Sequence, residues 1–162
     1  MDRALLLLHL AVIESQRGKW EESRRHYEES LALSPRNIMA LNNLAYLLID
    51  SMNLPEQGLK YAQEAARYSP RQETLDTLGW AYVKMGNFQE AIGELTRAVQ
   101  LDEYYVPARA HLGEAYRRAG DFTSALDTLN VALQRINAIK DTEYKQAVET
   151  SLEKVGKRDS GP

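Results

Sequence analysis

Apolar residues recur along the chain with the period of an α-helix, in pairs of segments of about 14 residues. In the third pair, one face of the first helix is formed by Leu75, Leu78, Gly79 and Tyr82. These positions follow the i, i+3, i+4, i+7 spacing of a buried helical stripe. One face of the second helix is formed in the same way by Phe88, Ala91, Leu95 and Ala98. Gly86 lies between the two segments and suits the left-handed conformation in which many helices end, so the pattern predicts a helical hairpin.

The hairpin pattern recurs every 34 residues, which is the mark of a repeat protein. A shift of the chain by this period aligns a column of leucines at Leu10, Leu44, Leu78 and Leu112. The next column contains only small residues, at Ala11, Ala45, Gly79 and Gly113. A third contains large apolar residues, at Trp20, Leu54, Phe88 and Phe122. The alignment predicts four repeats, over residues 4–37, 38–71, 72–105 and 106–139.

The second repeat departs from this period and then returns to it. Its turn "MNLPEQG" is one residue longer than the others, and the following "YSPRQ" turn is one residue shorter. With this correction, Gly58, Ala62 and Ala65 align with the small and apolar positions of the other second helices. The two changes cancel, so the third repeat is predicted to begin in register.

After residue 139 the repeat pattern fades, and a single apolar stripe remains. The stripe consists of Tyr144, Val148, Leu152 and Val155, and the intervening positions are polar. A helical solenoid needs a terminal element that is apolar inward and polar outward. We therefore expect a C-terminal capping helix over 140–156 and a polar tail over 157–162.

Composition narrows the classes of function. Apolar residues make up 44% of the chain and charged residues 27%, as in a soluble folded domain. The net charge is −3 and basic residues do not cluster, so we expect no nucleic-acid binding. The N-terminal "ALLLLHLAVI" is too short to span a bilayer, so we expect no membrane insertion. A cytoplasmic location is expected, with a periplasmic or membrane-associated context, and a place within a longer protein, left open.

No pattern in the sequence indicates catalysis. Cysteine is absent, and the three histidines, His9, His26 and His111, have no carboxylate at the spacing of a metal ligand set. The glycines do not follow the spacing of a phosphate-binding loop. We therefore expect no catalytic, cofactor or metal site, and no enzyme activity.

The repeat resembles the tetratricopeptide repeat (TPR), whose pattern is W-x2-L-G-x2-Y, then A-x3-F, then A and P. The third repeat matches at Leu75, Leu78, Gly79, Tyr82, Ala91, Leu95 and Ala98. The fourth matches at Leu112, Gly113, Tyr116, Ala125, Leu129 and Ala132. The first matches at Leu7, Leu10, Ala11, Tyr27 and Pro35 but has serines at 23 and 30. The resemblance implies an all-α fold, a right-handed α-solenoid of antiparallel helix pairs known as the TPR superhelix.

The resemblance also implies a function. First helices of each pair would line a concave groove that holds an extended or helical peptide, in an interaction scaffold rather than an enzyme. Residues off the core stripe would face this groove, and Val12, Tyr46 and Trp80 occupy one equivalent position in successive repeats. The candidate partner-binding residues are Val12, Asn42, Asn43, Tyr46, Ile49, Thr77, Trp80, Val83, Lys84, Arg117 and Arg118. Aromatic side chains would anchor the partner and amides would bond its backbone, while the basic end would suit an acidic segment or a C-terminal carboxylate.

Two alternatives stay open. Tyr46 and Trp80 could instead pack sideways between adjacent first helices and only narrow the groove. The chain could also be a structural module that associates with a copy of itself, or with further repeats, through an apolar N-terminal edge. That edge would be formed by Leu5, Leu6 and Leu8. The favoured interpretation is an adaptor that binds a partner protein or peptide through the concave groove.

Overall fold

The computed structural model describes residues 2–139 and 144–159, and this part of the chain consists of nine helices joined by short turns. The helices are α1 (Arg3–Gln16), α2 (Trp20–Leu33), α3 (Ile38–Tyr46), α4 (Pro55–Tyr68), α5 (Gln72–Met85), α6 (Phe88–Leu101), α7 (Val106–Ala119), α8 (Phe122–Ile139) and α9 (Lys145–Asp159). Consecutive helices from α1 to α8 pack as four hairpins, and each hairpin packs on the next. The predicted all-α stack of helix pairs is confirmed, while the boundaries of the individual repeats remain a prediction.

Local sequence determines where the helices begin and end. The side chain of Asp2 accepts a hydrogen bond from the Ala4 amide at the start of α1, and Asn37 accepts one from Ala40 at the start of α3. These oxygens satisfy amides that have no partner within the helix. Gly86 ends α5 at φ 83°, a left-handed conformation that costs glycine little because it has no Cβ atom.

Glycine also lets the two helices of a hairpin approach closely. A methyl group on Gly79 would overlap Leu95 of the following helix, and one on Gly113 would lie 2.5 Å from Cγ of Leu129. Both leucines are fully buried. In the third and fourth repeats the column is therefore occupied by glycine because a large side chain of the second helix fills the space.

The second repeat accommodates its extra residue inside a helix. α3 continues into a π-helical turn over Leu47–Ser51, in which one residue is inserted relative to an α-helix. Asn53 then adopts φ 54°, taking the left-handed position that glycine holds in the other repeats. The sequence predicted the extra residue in the turn, but the structure places it in the last turn of α3. In this repeat the glycine that lets the two helices approach closely lies in the second helix, at Gly58 of α4. A methyl group there would lie 2.5 Å from Cγ1 of Ile49.

The first repeat differs from the others at two points. Ser23 and Ser30 stand where the other second helices have glycine or alanine, and both are buried. Their hydroxyl groups donate to the carbonyls of Ala11 and Ala4 in α1, at 2.7 and 2.8 Å, so that neither is left without a partner. Leu10, unlike the equivalent leucines, is 37% exposed because no preceding helix pair covers α1.

The stack has an inner side. The first helices α3, α5, α7 and α9 each contact the next in this series, whereas the second helices of successive pairs, within the described residues, make no comparable contact. Helices that crowd together lie inside the curve of a solenoid, so the first helices form the inner surface. α9 packs on α8 and α7 as the first helix of a fifth pair would, with Val148 and Val155 buried. It continues to Asp159, past the predicted start of the polar tail at 157, while 140–143 and 160–162 lie outside the described residues.

Candidate functional site

Two adjacent cavities on the inner side of the solenoid form one groove. Their volumes are about 560 and 310 Å³, and the side chains of Tyr46 and Tyr144 line both. The larger cavity is further lined by Asp50, Trp80, His111, Glu114, Lys154 and one side of α9. The smaller is further lined by Val12, Tyr27, Asn42, Asn43, Asp76, Thr77 and Tyr105. The groove thus draws its side chains from all four repeats and from the terminal helix.

Trp80 is partly buried and connects three of the first helices. Its indole stacks on the His111 ring of α7, with centroids 4.2 Å apart and planes 15° apart. Its Nε1–H donates to Oδ1 of Asp50, which follows α3, at 3.0 Å. Trp80 therefore packs sideways between neighbouring repeats, as the first of the two alternatives holds, and it also forms part of the cavity wall.

The position of His111 is held by a buried carboxylate. Its Nδ1 lies 2.8 Å from Oδ1 of Asp76, and both side chains are buried. An ionised carboxylate can only accept, so in a hydrogen bond with an ionised Asp76 the donor is the Nδ1–H group of His111. Tyr144 meets the same imidazole ring edge to face, with centroids 6.0 Å apart. The sequence shows no carboxylate at the spacing of a metal ligand set, and the carboxylate that pairs with His111 comes from a different helix, 35 positions away.

Lys84 of the same chain contacts both Asp50 and Trp80, although it does not itself line the cavity. Lys84 Nζ lies 3.5 Å from Oδ1 of Asp50 and 5.1 Å from the centroid of the Trp80 ring. The Asp50 side chain is 39% exposed, so its remaining lone pairs face solvent. A carboxylate and an aromatic face together form a favourable environment for a cation.

The basic end that the sequence predicted is largely neutralised. Arg117 donates two hydrogen bonds to Glu114, at 2.7 and 2.8 Å, and Ser151 of α9 donates a third to the same carboxylate. Burial raises the pKa of Glu114, but these hydrogen bonds and the charges of Arg117 and Lys154 outweigh burial, so the pKa lies below its usual value. Arg118 turns away, donating to the Val83 carbonyl at 2.8 Å. The geometry therefore gives no support to a carboxylate-docking role for the two arginines.

Two predicted groove residues lie in the core instead. Ile49 and Val83 are fully buried, the first against Ala62 and Leu78 and the second among Leu95 and other apolar residues. Their predicted exposure to the groove is wrong: Ile49 lies inside the π-turn, which shifts its position around the helix, and Val83 continues the buried stripe of α5 four residues after Gly79. A direct contact between either side chain and a partner would require this core to open.

The amide-rich part of the groove lies where the sequence placed it. Asn42 and Asn43 line the smaller cavity, and Oδ1 of Asn42 is buried with no hydrogen-bond partner among the described residues. The Asn43 side chain forms a hydrogen bond with the hydroxyl group of Tyr27. Burial raises the pKa of that hydroxyl group. Thr77 is buried and donates to the carbonyl of Glu73 at 3.0 Å. Asn42 is thus an acceptor for which a bound segment could supply the missing donor.

Some residues that shape the groove were not selected from the sequence. They are Asp50, Asp76, His111, Glu114 and Tyr144. The first four lie off the core stripe, at positions that the 34-residue pattern turns toward the groove. The pattern therefore indicates them, although their residue types alone give no reason to select them. Spacing along the sequence does not show which side chains of different helices pair. His26 of α2 and Glu14 of α1 are a second example, with Nδ1 and Oε2 2.7 Å apart. Tyr144 lies immediately before the capping helix α9, and the 34-residue pattern does not describe how this part of the chain meets the groove.

The predicted apolar N-terminal edge needs one correction. Leu8 is only 2% exposed and belongs to the first hydrophobic core, so it cannot form part of an open edge. Leu6 and Ile13 are each 44% exposed. In the other repeats the positions equivalent to Leu6, Leu10 and Ile13 are buried against the preceding second helix, and α1 has no such helix. The open edge therefore consists of Leu6, Leu10 and Ile13, beside the exposed Leu5.

A stack of helix hairpins with an inner groove is the architecture of helical-repeat proteins. Two family models, both described as Tetratricopeptide repeat, match residues 3–34 and 77–138, which together cover more than half of the chain. The chain belongs to the tetratricopeptide repeat family. No curated protein sequence matches it significantly.

Solved structures confirm the TPR superhelix. TTC0263, a thermophilic TPR protein in Thermus thermophilus, is 21% identical with a TM-score of 0.81, covering 97% of this chain and 83% of that chain. The MamA protein is 22% identical with a TM-score of 0.72, covering 98% and 85%. YrrB, described as a TPR protein with an unusual peptide-binding site, is 18% identical with a TM-score of 0.68, covering 94% and 84%. At these identities the likeness establishes the fold alone.

Two further properties bear on the class of protein. Among the described residues, none of the helices combines the length and apolar character that crossing a membrane requires. The same part of the chain contains no group of three or more His, Cys, Asp or Glu side chains placed to hold a metal ion. TPR folds typically serve in protein interactions rather than catalysis.

Proposed function

We propose that this chain is an adaptor that holds a segment of a partner protein in its inner groove. The observation that carries the proposal is the continuity of the two cavities, which share Tyr46 and Tyr144 and run past all four repeats. Rigid aromatic side chains supply contact area at low entropic cost, and they are the residues that most often dominate binding energy. The Asn42 side chain, which lines the smaller cavity and has a buried Oδ1 without a hydrogen-bond partner among the described residues, could turn toward the backbone N–H of a bound peptide.

The fold supports this proposal because TPR proteins are interaction modules, and a structural neighbour, YrrB, is described as having a peptide-binding site. The length of the groove suits a segment of several residues rather than a small molecule. Binding energy is expected to concentrate on Tyr46 and Trp80, since both are aromatic and both lie near the middle of the groove.

The test begins with peptides selected from a random-sequence display library on the intact chain. Affinities of the synthetic peptides are then measured by fluorescence anisotropy with wild type, Tyr46→Ala and Trp80→Ala. Each variant is expected to weaken binding tenfold or more, the cost of truncating a central aromatic anchor. Tyr68→Ala is the matched control, because it removes an exposed aromatic ring from a second helix, α4. Equal affinity for wild type and both groove variants would contradict the proposal.

A second candidate function is self-association through the open edge of α1. The specific observation is that Leu6, Leu10 and Ile13 are exposed, whereas the equivalent positions of the other repeats are buried, and no helix of the described residues covers them. A stripe of three large apolar side chains at helical spacing is typical of a helix–helix interface. A copy of the same edge, related by a two-fold axis, could cover it.

Oligomeric state tests this candidate directly. If the edge pairs with itself, light scattering of wild type shows a dimer that dissociates on dilution, and Ile13→Glu remains a monomer. Met39→Glu is the control, because Met39 is more exposed than Ile13 but lies on an interior repeat. A wild-type protein that stays monomeric at millimolar concentration excludes the candidate.

A further inference from the structure

We propose that the groove binds a basic side chain, lysine or arginine, of the partner segment, and that Asp50, oriented by the Trp80 indole N–H, holds its charged end. This inference rests on the proposed function, because it names the chemistry of the segment that the groove would hold. It replaces the acidic partner that the sequence predicted from Arg117 and Arg118.

The first argument is the charge of the groove wall. Three carboxylates line the two cavities, those of Asp50, Asp76 and Glu114, and among the described lining residues Lys154 is the one ammonium group. Aromatic rings line the same space, and the faces of aromatic rings attract cations. Asp76 and Glu114 are each engaged by side chains of this chain, so the carboxylate that can meet a further cation is the more exposed one of Asp50.

The second argument is that the Asp50–Trp80 corner already holds an ammonium group. Lys84 of the same chain places Nζ 3.5 Å from Asp50 and 5.1 Å from the centroid of the Trp80 ring. The Trp80 indole N–H also fixes Asp50 by a 3.0 Å hydrogen bond. Lys84 does not line the cavity, whereas Asp50 does, so a cation entering from the groove would meet the same carboxylate from the other direction.

The third argument concerns which carboxylates remain accessible. Asp76 is buried with His111, and Glu114 is engaged by Arg117 and Ser151. Asp50 is the most exposed of the three, and its partner Lys84 makes a longer contact than the other pairs. The cation site is therefore assigned to Asp50.

The experiment uses the peptides selected from the random-sequence library on the wild-type chain. One peptide position is expected to be enriched in lysine or arginine. Replacing that residue by norleucine, which keeps the aliphatic chain and removes the charge, is expected to weaken binding about tenfold. Asp50→Asn is expected to weaken the basic peptide to the same degree and to abolish its advantage over the norleucine peptide.

Lys84→Met is expected to change the affinity for the basic peptide in the opposite direction to Asp50→Asn. Removing the competing ammonium group is expected to strengthen the basic peptide a few-fold while leaving the norleucine peptide unchanged. Asp127→Asn is the matched control, since Asp127 is an exposed carboxylate on the second helix α8. Circular dichroism shows whether each variant remains folded, and Lys84→Met tests the inference even where Asp50→Asn does not fold.

The outcomes separate this inference from the proposed function. Selected peptides that depend on Tyr46 and Trp80 but show no basic enrichment, or an acidic one, overturn the inference and leave the groove function standing. The same holds if Asp50→Asn binds the basic and norleucine peptides as wild type does. If no selected peptide depends on the groove, the proposed function fails and the inference fails with it.

Discussion

Gly79→Ala sets helix propensity against packing within one hairpin. Alanine is favoured over glycine inside a helix by about 0.5–1 kcal/mol, so propensity alone predicts a more stable protein. The new methyl group, however, would overlap Cγ of Leu95, which is fully buried and lies close to its own backbone. Leu95 can yield only if α6 moves. Forcing a methyl group into a packed core costs about 1–3 kcal/mol, so we expect a net destabilisation of about 1–2 kcal/mol.

Two companion variants isolate the cause. Gly93→Ala places the same methyl group in α6 where it meets nothing within 4 Å, so it should stabilise the protein by about 0.5–1 kcal/mol. Leu95→Ala creates a cavity and should cost about 2–5 kcal/mol. In that background Gly79→Ala should become stabilising, because its methyl group enters the vacated space. A reversal of sign between the two backgrounds is the signature of this one contact.

Urea denaturation followed by circular dichroism, with thermal melts as a second measure, provides the free energies. The expected loss for Gly79→Ala corresponds to a melting temperature lower by several degrees for a chain of this size. A Gly79→Ala protein as stable as Gly93→Ala would refute the reasoning, since it would mean that Leu95 relaxes without cost. The same outcome would remove the physical explanation offered for the small column of the repeat.

Three further predictions concern buried polar groups and backbone conformation. Arg109→Leu should raise the free energy of unfolding by about 1 kcal/mol in urea denaturation. Burial and the charge of Arg135 lower the pKa of Arg109, and its Nε has no hydrogen-bond partner among the described residues. The other repeats have leucine at the equivalent position. Glu114→Gln should destabilise by about 1 kcal/mol at pH 7. Because the folded pKa of Glu114 is depressed, that stabilisation is present above the usual carboxyl pKa and is lost as pH falls through the folded value, so melts of variant and wild type should differ at pH 7 and converge once the pH lies below the folded pKa. Asn53→Gly should leave stability unchanged or raise it slightly while Asn53→Ala lowers it by about 1 kcal/mol in thermal melts, since φ is 54°; equal melting temperatures would contradict this.

The helix pairs could be predicted because their determinants are local. Leu75 and Leu78 follow helical spacing, and a left-handed glycine such as Gly86 ends a helix regardless of which other helices pack beside it. The extra residue of the second repeat was detected but misplaced, because a longer turn and a π-turn leave the same one-residue shift in the alignment. Only the hydrogen bonds of Leu47–Ser51 distinguish them.

The chemistry of the groove could be predicted only in part, because its contacts join residues from different helices. The column of Tyr46 and Trp80 follows from the period, and both line the groove. The pairing of His111 with Asp76, 35 positions apart, depends on the angle between α5 and α7, which the period does not determine. The charge of Arg117 was visible in the sequence, but its neutralisation by Glu114 depends on side-chain conformation.

Packing and binding were posed as alternatives for Trp80, and the geometry shows that they need not exclude each other. The stack on His111 and the hydrogen bond to Asp50 hold the indole in one orientation before any partner arrives. Ordering a side chain on binding costs about 0.5–1.5 kcal/mol, and a ring that is already ordered does not incur that cost. The same hydrogen bond orients Asp50 toward the groove. Sideways packing of Trp80 therefore favours the proposed recognition of a cation, because its hydrogen bond holds in place the Asp50 carboxylate that would bind the cation.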